Sequence, residues 1–228
     1  MRPDFALSLS FDGIALLTRE SKGWKVLGEV PVSSPDLKSE LTALCATADA
    51  QGPNGSKVKL VLPNAQIKYL DLPDEGARGA AMQDRINRAL EAETPYQAHE
   101  LVCDWAIVDG RIQVAAVARE TLAEAEVFTS AHGFSPVCFV AYAPESFDGE
   151  VFFGAARMWN GAMPERDPDP IVVVDLATDD VEQDDASDQQ TDDDAGPDEA
   201  VVVPPAETSQ MGDPADEAPQ APTRPEPT

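Results

Sequence analysis

The chain is poor in the side chains that most often carry chemistry. It has only two histidines, His99 and His132, and three cysteines in 228 residues. Neither histidine stands in an E-x-x-H or H-x-x-x-H spacing, so no metal site is expected. Instead, His132 sits just before a helix end, where the dipole favours a cation, and His99 lies in a loop. Cys45, Cys103 and Cys138 form no C-x-x-C pair. Their odd number and apolar flanks read as reduced core thiols rather than a disulfide framework or a nucleophile. Reduced thiols favour a cytoplasmic location. Long apolar runs are missing too, and none approaches the ~18 residues a membrane span needs. Met1-Arg2-Pro3-Asp4 leads into only a short apolar stretch, which is not a signal peptide. The chain is thus expected to be soluble, with no direct membrane insertion. Positive charge is scarce: 16 Lys+Arg stand against 42 Asp+Glu, for a net charge of -26. Such a balance repels nucleic-acid phosphates and anionic lipid, so no nucleic-acid partner is expected.

The acidity is uneven. Residues 164–228 hold 20 acidic and 2 basic residues and 11 of the 20 prolines, whereas residues 1–163 hold 22 acidic and 14 basic. The front is an ordinary globular composition. The back cannot bury enough apolar surface to offset the entropy of ordering, and 179–228 is expected to be a disordered acidic tail. Its stretches Asp179–Asp185 and Asp192–Asp194 lack the glycine and spacing of a calcium loop, and read as a solvated spacer. Within it, Val201-Val202-Val203-Pro204-Pro205 is apolar enough to dock as an added strand or a polyproline segment.

Along the front, Phe5–Ser10 and Ile14–Thr18 read as strands joined by Asp12-Gly13, a hairpin dipeptide suited to a type I′ turn. Trp24–Val32 reads as a third strand, with Val26, Val30 and Val32 on one face. Ser33 or Ser34 is placed to cap a helix with Pro35 at its first position and Asp36 in its first turn, with Leu37, Leu41, Leu44 and Ala48 at helical spacing. Val58–Leu62 is a nearly continuous apolar strand of the kind buried on both faces. These elements make a first subdomain over 1–64: a three-strand meander, a helix and a strand.

A second unit, 65–147, reads β-α-β-β-α-β. Its pieces are Ile67–Leu72, a helix Ala77–Glu93 with a Met82, Ile86, Ala89, Leu90 stripe, strands Leu101–Val108 and Arg111–Ala118 joined by Asp109-Gly110, a helix Thr121–His132 stopped by Gly133, and a strand Pro136–Ala141. Gly79 weakens the first turn of the earlier helix. Residues 148–178 are poorly defined and hold one or two strands, near Val151–Phe153 and Ile171–Val174. Asp104 reads as an exposed strand residue or as the partner of Arg85 or Arg88 on the preceding helix.

Leu72-Pro73 before a helix, Pro95-Tyr96 after it and Asp104-Trp105 in the next strand occur in an order that resembles the PilM family of actin-like pilus-assembly proteins. The cytoplasmic domain of the GspL secretion proteins is similar. Val114-Ala115-Ala116-Val117-Ala118-Arg119-Glu120 and Gly133-Phe134-Ser135-Pro136-Val137 resemble that family's strand-to-helix crossing and following turn. The resemblance covers residues 5–147. It implies a mixed α/β chain: half of an actin-like (ribonuclease H-like) fold with an inserted βαββαβ subdomain.

An actin-like phosphate loop needs an acidic residue for a hydrated metal and a glycine for close backbone approach. The aligned positions here are Ser8, Ser10 and Ala15, which supply neither. Shifting the frame to Asp12 and Gly13 restores the pair, but shortens the first strand. Ile171-Val172-Val173-Val174-Asp175-Leu176-Ala177-Thr178 resembles the start of the second actin-like half, with Ala177 in place of glycine. Two functional readings follow. The first is a non-catalytic scaffold of an envelope assembly system, type II secretion or type IV pilus-like, with no cofactor. It would dock protein partners and sit in the cytoplasm, peripheral to the inner membrane through them. Pro95, Tyr96 and Trp105 are its candidate contact residues, because aromatics anchor interfaces. The second is a nucleotide-binding ATPase whose cleft another chain completes. A third possibility is that the chain is a shortened form of a longer membrane protein.

Overall fold

The computed structural model describes residues 1–174 apart from Pro53. The expectations for the acidic tail, its calcium-like stretches and Val201–Pro205 lie outside the described residues. The described part is mixed α/β. Strands β1 (Phe5–Leu9), β2 (Gly13–Glu20) and β3 (Gly23–Pro31) form an antiparallel meander. Helix α1 (Leu37–Gln51) returns the chain to β4 (Lys57–Leu62), which pairs parallel to β1. Next come β5 (Lys68–Pro73), α2 (Ala80–Glu93), β6 (Leu101–Val108), β7 (Arg111–Ala118), α3 (Arg119–Ala131), β8 (Ser135–Ala141) and β9 (Val151–Ala155).

Two sheets result. The larger has the order β3-β2-β1-β4-β8-β9 and the smaller β5-β7-β6. The elements read from sequence as one βαββαβ unit are divided between them. β5, β6 and β7 form the small sheet, covered by the α2 stripe of Met82, Ile86 and Leu90. Each of these side chains is at most 1% exposed, a burial that stabilises by about 1.5–3 kcal/mol apiece. β8 returns to the large sheet, parallel to β4. The cause is its composition: Pro136 through Ala141 are all buried, so it fits only as an interior strand.

The large sheet separates two cores. Phe5, Leu7, Val58, Leu60, Leu62 and Phe139 face α1 and α3, with Leu41, Leu44 and Leu122 from the helices. Ala6, Leu17, Val61, Cys138 and Val140 face the other way. Of residues 156–174, Ala156 and Trp159 pack in the first core, and the later part contributes Ile171 to the second.

Three local expectations change. Val26 and Val30 do not share a face: a bulge between Leu16 and Leu17 leaves Leu27 opposite no partner, and one extra residue reverses the alternation. α1 starts two residues after Pro35, at Leu37, with Asp36 at its N-cap and no side-chain cap bond; the Ser34 hydroxyl instead accepts the Asp36 N–H at 3.2 Å. Asp12-Gly13 does not form a type I′ turn. Neither residue has positive φ, while Asp109 (φ 49°) and Gly110 (φ 73°) do. The latter pair makes the two-residue turn that joins Val108 to Arg111.

Candidate functional site: a groove at the carboxyl ends of the strands

In an open α/β sheet the crevice outside the carboxyl ends of parallel strands is the usual place for a ligand. Here that end carries the β1–β2 corner. The Ser10 hydroxyl donates to the Gly13 carbonyl at 2.8 Å and accepts the N–H groups of Gly13 (2.9 Å) and Asp12 (3.3 Å). The turn is thus tied to itself through Ser10, and Asp12 is exposed at its tip. Ser8 is buried, and its hydroxyl accepts from the Tyr142 hydroxyl at 3.0 Å. The four sequence-predicted phosphate-loop positions therefore sit on one corner, where Ser8 and Ser10 each satisfy protein groups.

Beside this corner lies an open groove of about 260 Å³ whose walls include Leu9, Ile14, Val32, Leu62 and Phe128, with Gln66, Thr121 and Glu124 as polar groups. A second groove of about 320 Å³ adjoins it through Gln66 and Thr121, and reaches Lys68, Leu101 and Tyr96. Tyr96 is 40% exposed there. Pro95 is exposed immediately before it. Trp105 is 37% exposed on the edge strand β6, on the face that α2 covers, beside Ile107 at 38%. It lines neither groove. Pro95 and Tyr96 thus form one location and Trp105 another. Near the grooves, burial pushes the Tyr69 phenol up to about 12, and its hydroxyl donates to the Tyr142 carbonyl at 3.0 Å.

The second sheet face holds a cluster that sequence reasoning missed. Lys59, on β4, is fully buried and pairs with Glu150 and Asp167. Asp167 also takes the Arg19 guanidinium at 2.6 Å and lies 3.5 Å from that of Arg2. Arg19 stacks over Trp24 with its guanidinium carbon 4.4 Å from the ring centre. Glu150 is pushed up by burial, against the downward pull of Lys59 and of the Asp167 N–H. Burial pushes Asp167 up too, but its bonds to Lys59 and Arg19 outweigh that and hold it below the usual range. The Cys138 thiol beside them is pushed up to about 12, chiefly by burial. The sequence signal was a lysine inside an apolar run: a strand buried on both faces must supply that cation with a buried acid.

Asp104 corrects both readings made of it. It is 7% exposed rather than a surface residue, and its partner is Arg166, not Arg85 or Arg88. Its carboxylate also accepts the N–H groups of Phe152 (2.9 Å) and Trp105 (3.0 Å). Burial raises its pKa, and these bonds with Arg166 pull it back. Arg85 reaches Glu75 instead. The misreading arose because Arg166 lies 62 residues away and arrives only when 156–174 crosses the fold.

Among the described residues no group of three or more His, Cys, Asp or Glu side chains is placed to hold a metal. None of their helices is long and apolar enough to cross a membrane. No family model and no curated protein matches the chain. Among solved structures it is similar to the cytoplasmic domain of EpsL, an inner-membrane component of the type II secretion system of Vibrio cholerae. The identity there is 15% and the TM-score 0.45, over 62% of this chain and 60% of that one. It is also similar to the PilM–PilN type IV pilus biogenesis complex, at 17% identity and TM-score 0.45, over 61% of this chain and 47% of that one. A Bacteroides thetaiotaomicron protein with an actin-like ATPase fold and unknown function matches at 13% identity and TM-score 0.34, over 60% and 52% of the two chains. In each case the chain spans less than two thirds of the structure it matches.

Proposed function

We propose that this chain is a non-catalytic scaffold of an envelope assembly system, and that it takes a protein partner along the groove running from the β1–β2 corner to Tyr96. One observation carries the reading. The corner at which an actin-like domain would hold phosphate has its hydroxyls engaged within the chain, and opens onto a mainly apolar groove. Apolar walls suit side chains of a protein segment; a triphosphate needs cationic and backbone N–H donors, and its metal needs oxygen ligands. The envelope setting rests on the sequence resemblance carried by Leu72-Pro73, Pro95-Tyr96 and Asp104-Trp105. The partner is a cytoplasmic segment of an inner-membrane protein or a motor ATPase, and this chain is a cytoplasmic protein held at the membrane through it.

Thermal unfolding with and without millimolar Mg-ATP separates this from the nucleotide-binding alternative. A ligand at 100 times its Kd stabilises by about 2.7 kcal/mol, which for a chain of this size raises Tm by about 5–11 °C. The scaffold reading expects no magnesium-dependent shift; a shift of that size overturns it. For the surface itself, Tyr96→Ala should weaken capture of a candidate partner segment by tenfold or more, as loss of an interface anchor does. Unchanged affinity in Tyr96→Ala places the contact elsewhere.

A further inference from the structure

Residues 157–174 hold no helix and only a single isolated strand bridge, at Val173. Yet three consecutive charged side chains in this segment reach three separate parts of the fold. Glu165 takes the Met1 amino group at 3.0 Å and lies 3.6 Å from Arg2. Arg166 pairs with Asp104 on β6 of the small sheet. Asp167 pairs with Lys59 of β4 and Arg19 of β2 in the large sheet. Further on, Ile171 is buried at 4% exposure, the Trp24 N–H donates to the Val172 carbonyl and the Val174 N–H to the Trp24 carbonyl, both at 2.8 Å.

We infer that 163–174, beyond the point where Trp159 packs against the helix-covered core and the Met158 N–H donates to Glu126 of α3, is a strap, clasped by Glu165-Arg166-Asp167 across both sheets, which opens as a unit while that core stays folded. The physical grounds are its independence. The core beneath it, with Ala6, Leu17, Val61 and Cys138, is distinct from the one under α1 and α3. Segments with few backbone bonds and few buried apolar contacts open locally before the rest. The strap buries the apolar side chains of Pro164 and Ile171 and leaves Val172 and Met163 52% and 76% exposed. Opening uncovers the second sheet face and frees β6 from its tie to Arg166. The strongly acidic residues 175–228 follow Val174 directly. The inference is independent of what the groove binds.

Two free thiols report it. Cys138 lies in the core under the strap and Cys45 in the other core. In the full chain carrying Cys103→Ser, both thiols should label slowly with a maleimide, as followed by peptide mass spectrometry. Asp167→Asn should speed labelling of Cys138 at least tenfold and leave Cys45 within twofold. Val174→Pro removes the N–H that bonds Trp24 and fixes φ there, without touching the ionic clasp, and should give the same pattern more weakly; it decides the matter if Asp167→Asn does not fold. No change at Cys138, or equal acceleration of Cys138 and Cys45, overturns the inference, because the strap would then be inert or would open only with the whole molecule.

Discussion

Replacing Lys59 by methionine tests the buried cluster most directly. The change keeps an unbranched side chain, one heavy atom shorter, and removes one charge. In the native chain the Lys59 side chain is 0% exposed, that of Glu150 0% and that of Asp167 6%. Lys59→Met therefore leaves two carboxylates out of water, with Arg19 at 2.6 Å and Arg2 at 3.5 Å as the remaining cations beside Asp167. Removing one member of a buried pair costs about 3–5 kcal/mol. For a domain of this size that lowers Tm by about 6–20 °C. Urea unfolding followed by circular dichroism reads the loss. Its pH dependence is fixed in sign. Burial already raises Glu150, with Lys59 opposing; without Lys59 the rise is larger. A carboxyl whose pKa is raised on folding contributes its stability below the ordinary carboxylate range and loses it as pH climbs through the raised value. The deficit of Lys59→Met should therefore shrink as pH falls toward that of the ordinary carboxylate range. In the native chain Asp167, held low, acts oppositely: its contribution is present above the ordinary carboxylate range and is lost as pH falls through its lowered value. Neutralising all three, as Lys59→Met with Glu150→Gln and Asp167→Asn, should recover part of the loss. A loss below about 1 kcal/mol at neutral pH, or a deficit that ignores pH, would refute the cluster as described.

Asp104→Ala should destabilise by about 1–3 kcal/mol, because it strands the Phe152 N–H and the Arg166 guanidinium. A double-mutant cycle should show coupling with Arg166→Ala and additivity with Arg85→Ala; coupling to Arg85 instead would contradict the fold. Gly110→Ala should cost about 1 kcal/mol, since position 110 sits at φ 73° where a β-carbon is strained. The same substitution at Gly52, whose φ is 165° and whose added β-carbon would meet nothing within 4 Å, should be the milder of the two by chemical denaturation.

Local signals in this sequence were enough wherever a structure is closed by neighbours in the chain. β6 and β7 begin and end where their alternation and Asp109-Gly110 place them, because a two-residue turn sets the register of both strands at once. Of its predicted stripe Met82, Ile86, Ala89 and Leu90, α2 buries Met82, Ile86 and Leu90 and leaves Ala89 half-buried, because a helical face needs only its own spacing. The apolar run Val58–Leu62 marked an interior strand, and β4 lies between β1 and β8.

Where the outcome depended on distant partners, the sequence had no means of choosing. β8 could have joined the small sheet or the large one; its two apolar faces are satisfied only between β4 and β9. Asp12-Gly13 carries the same dipeptide preference as Asp109-Gly110, yet Ser10 captures that turn with its hydroxyl. The bulge at Leu27 reverses a face that simple alternation assigns to Val26 and Val30. Lys59 and Asp104 found their counter-charges 108 and 62 residues onward. The spacing of a helix or hairpin is a property of adjacent bonds, and so is written along the chain. The neutralisation of a buried charge is a property of whatever the fold brings against it, and no stretch of sequence records that before the chain has closed.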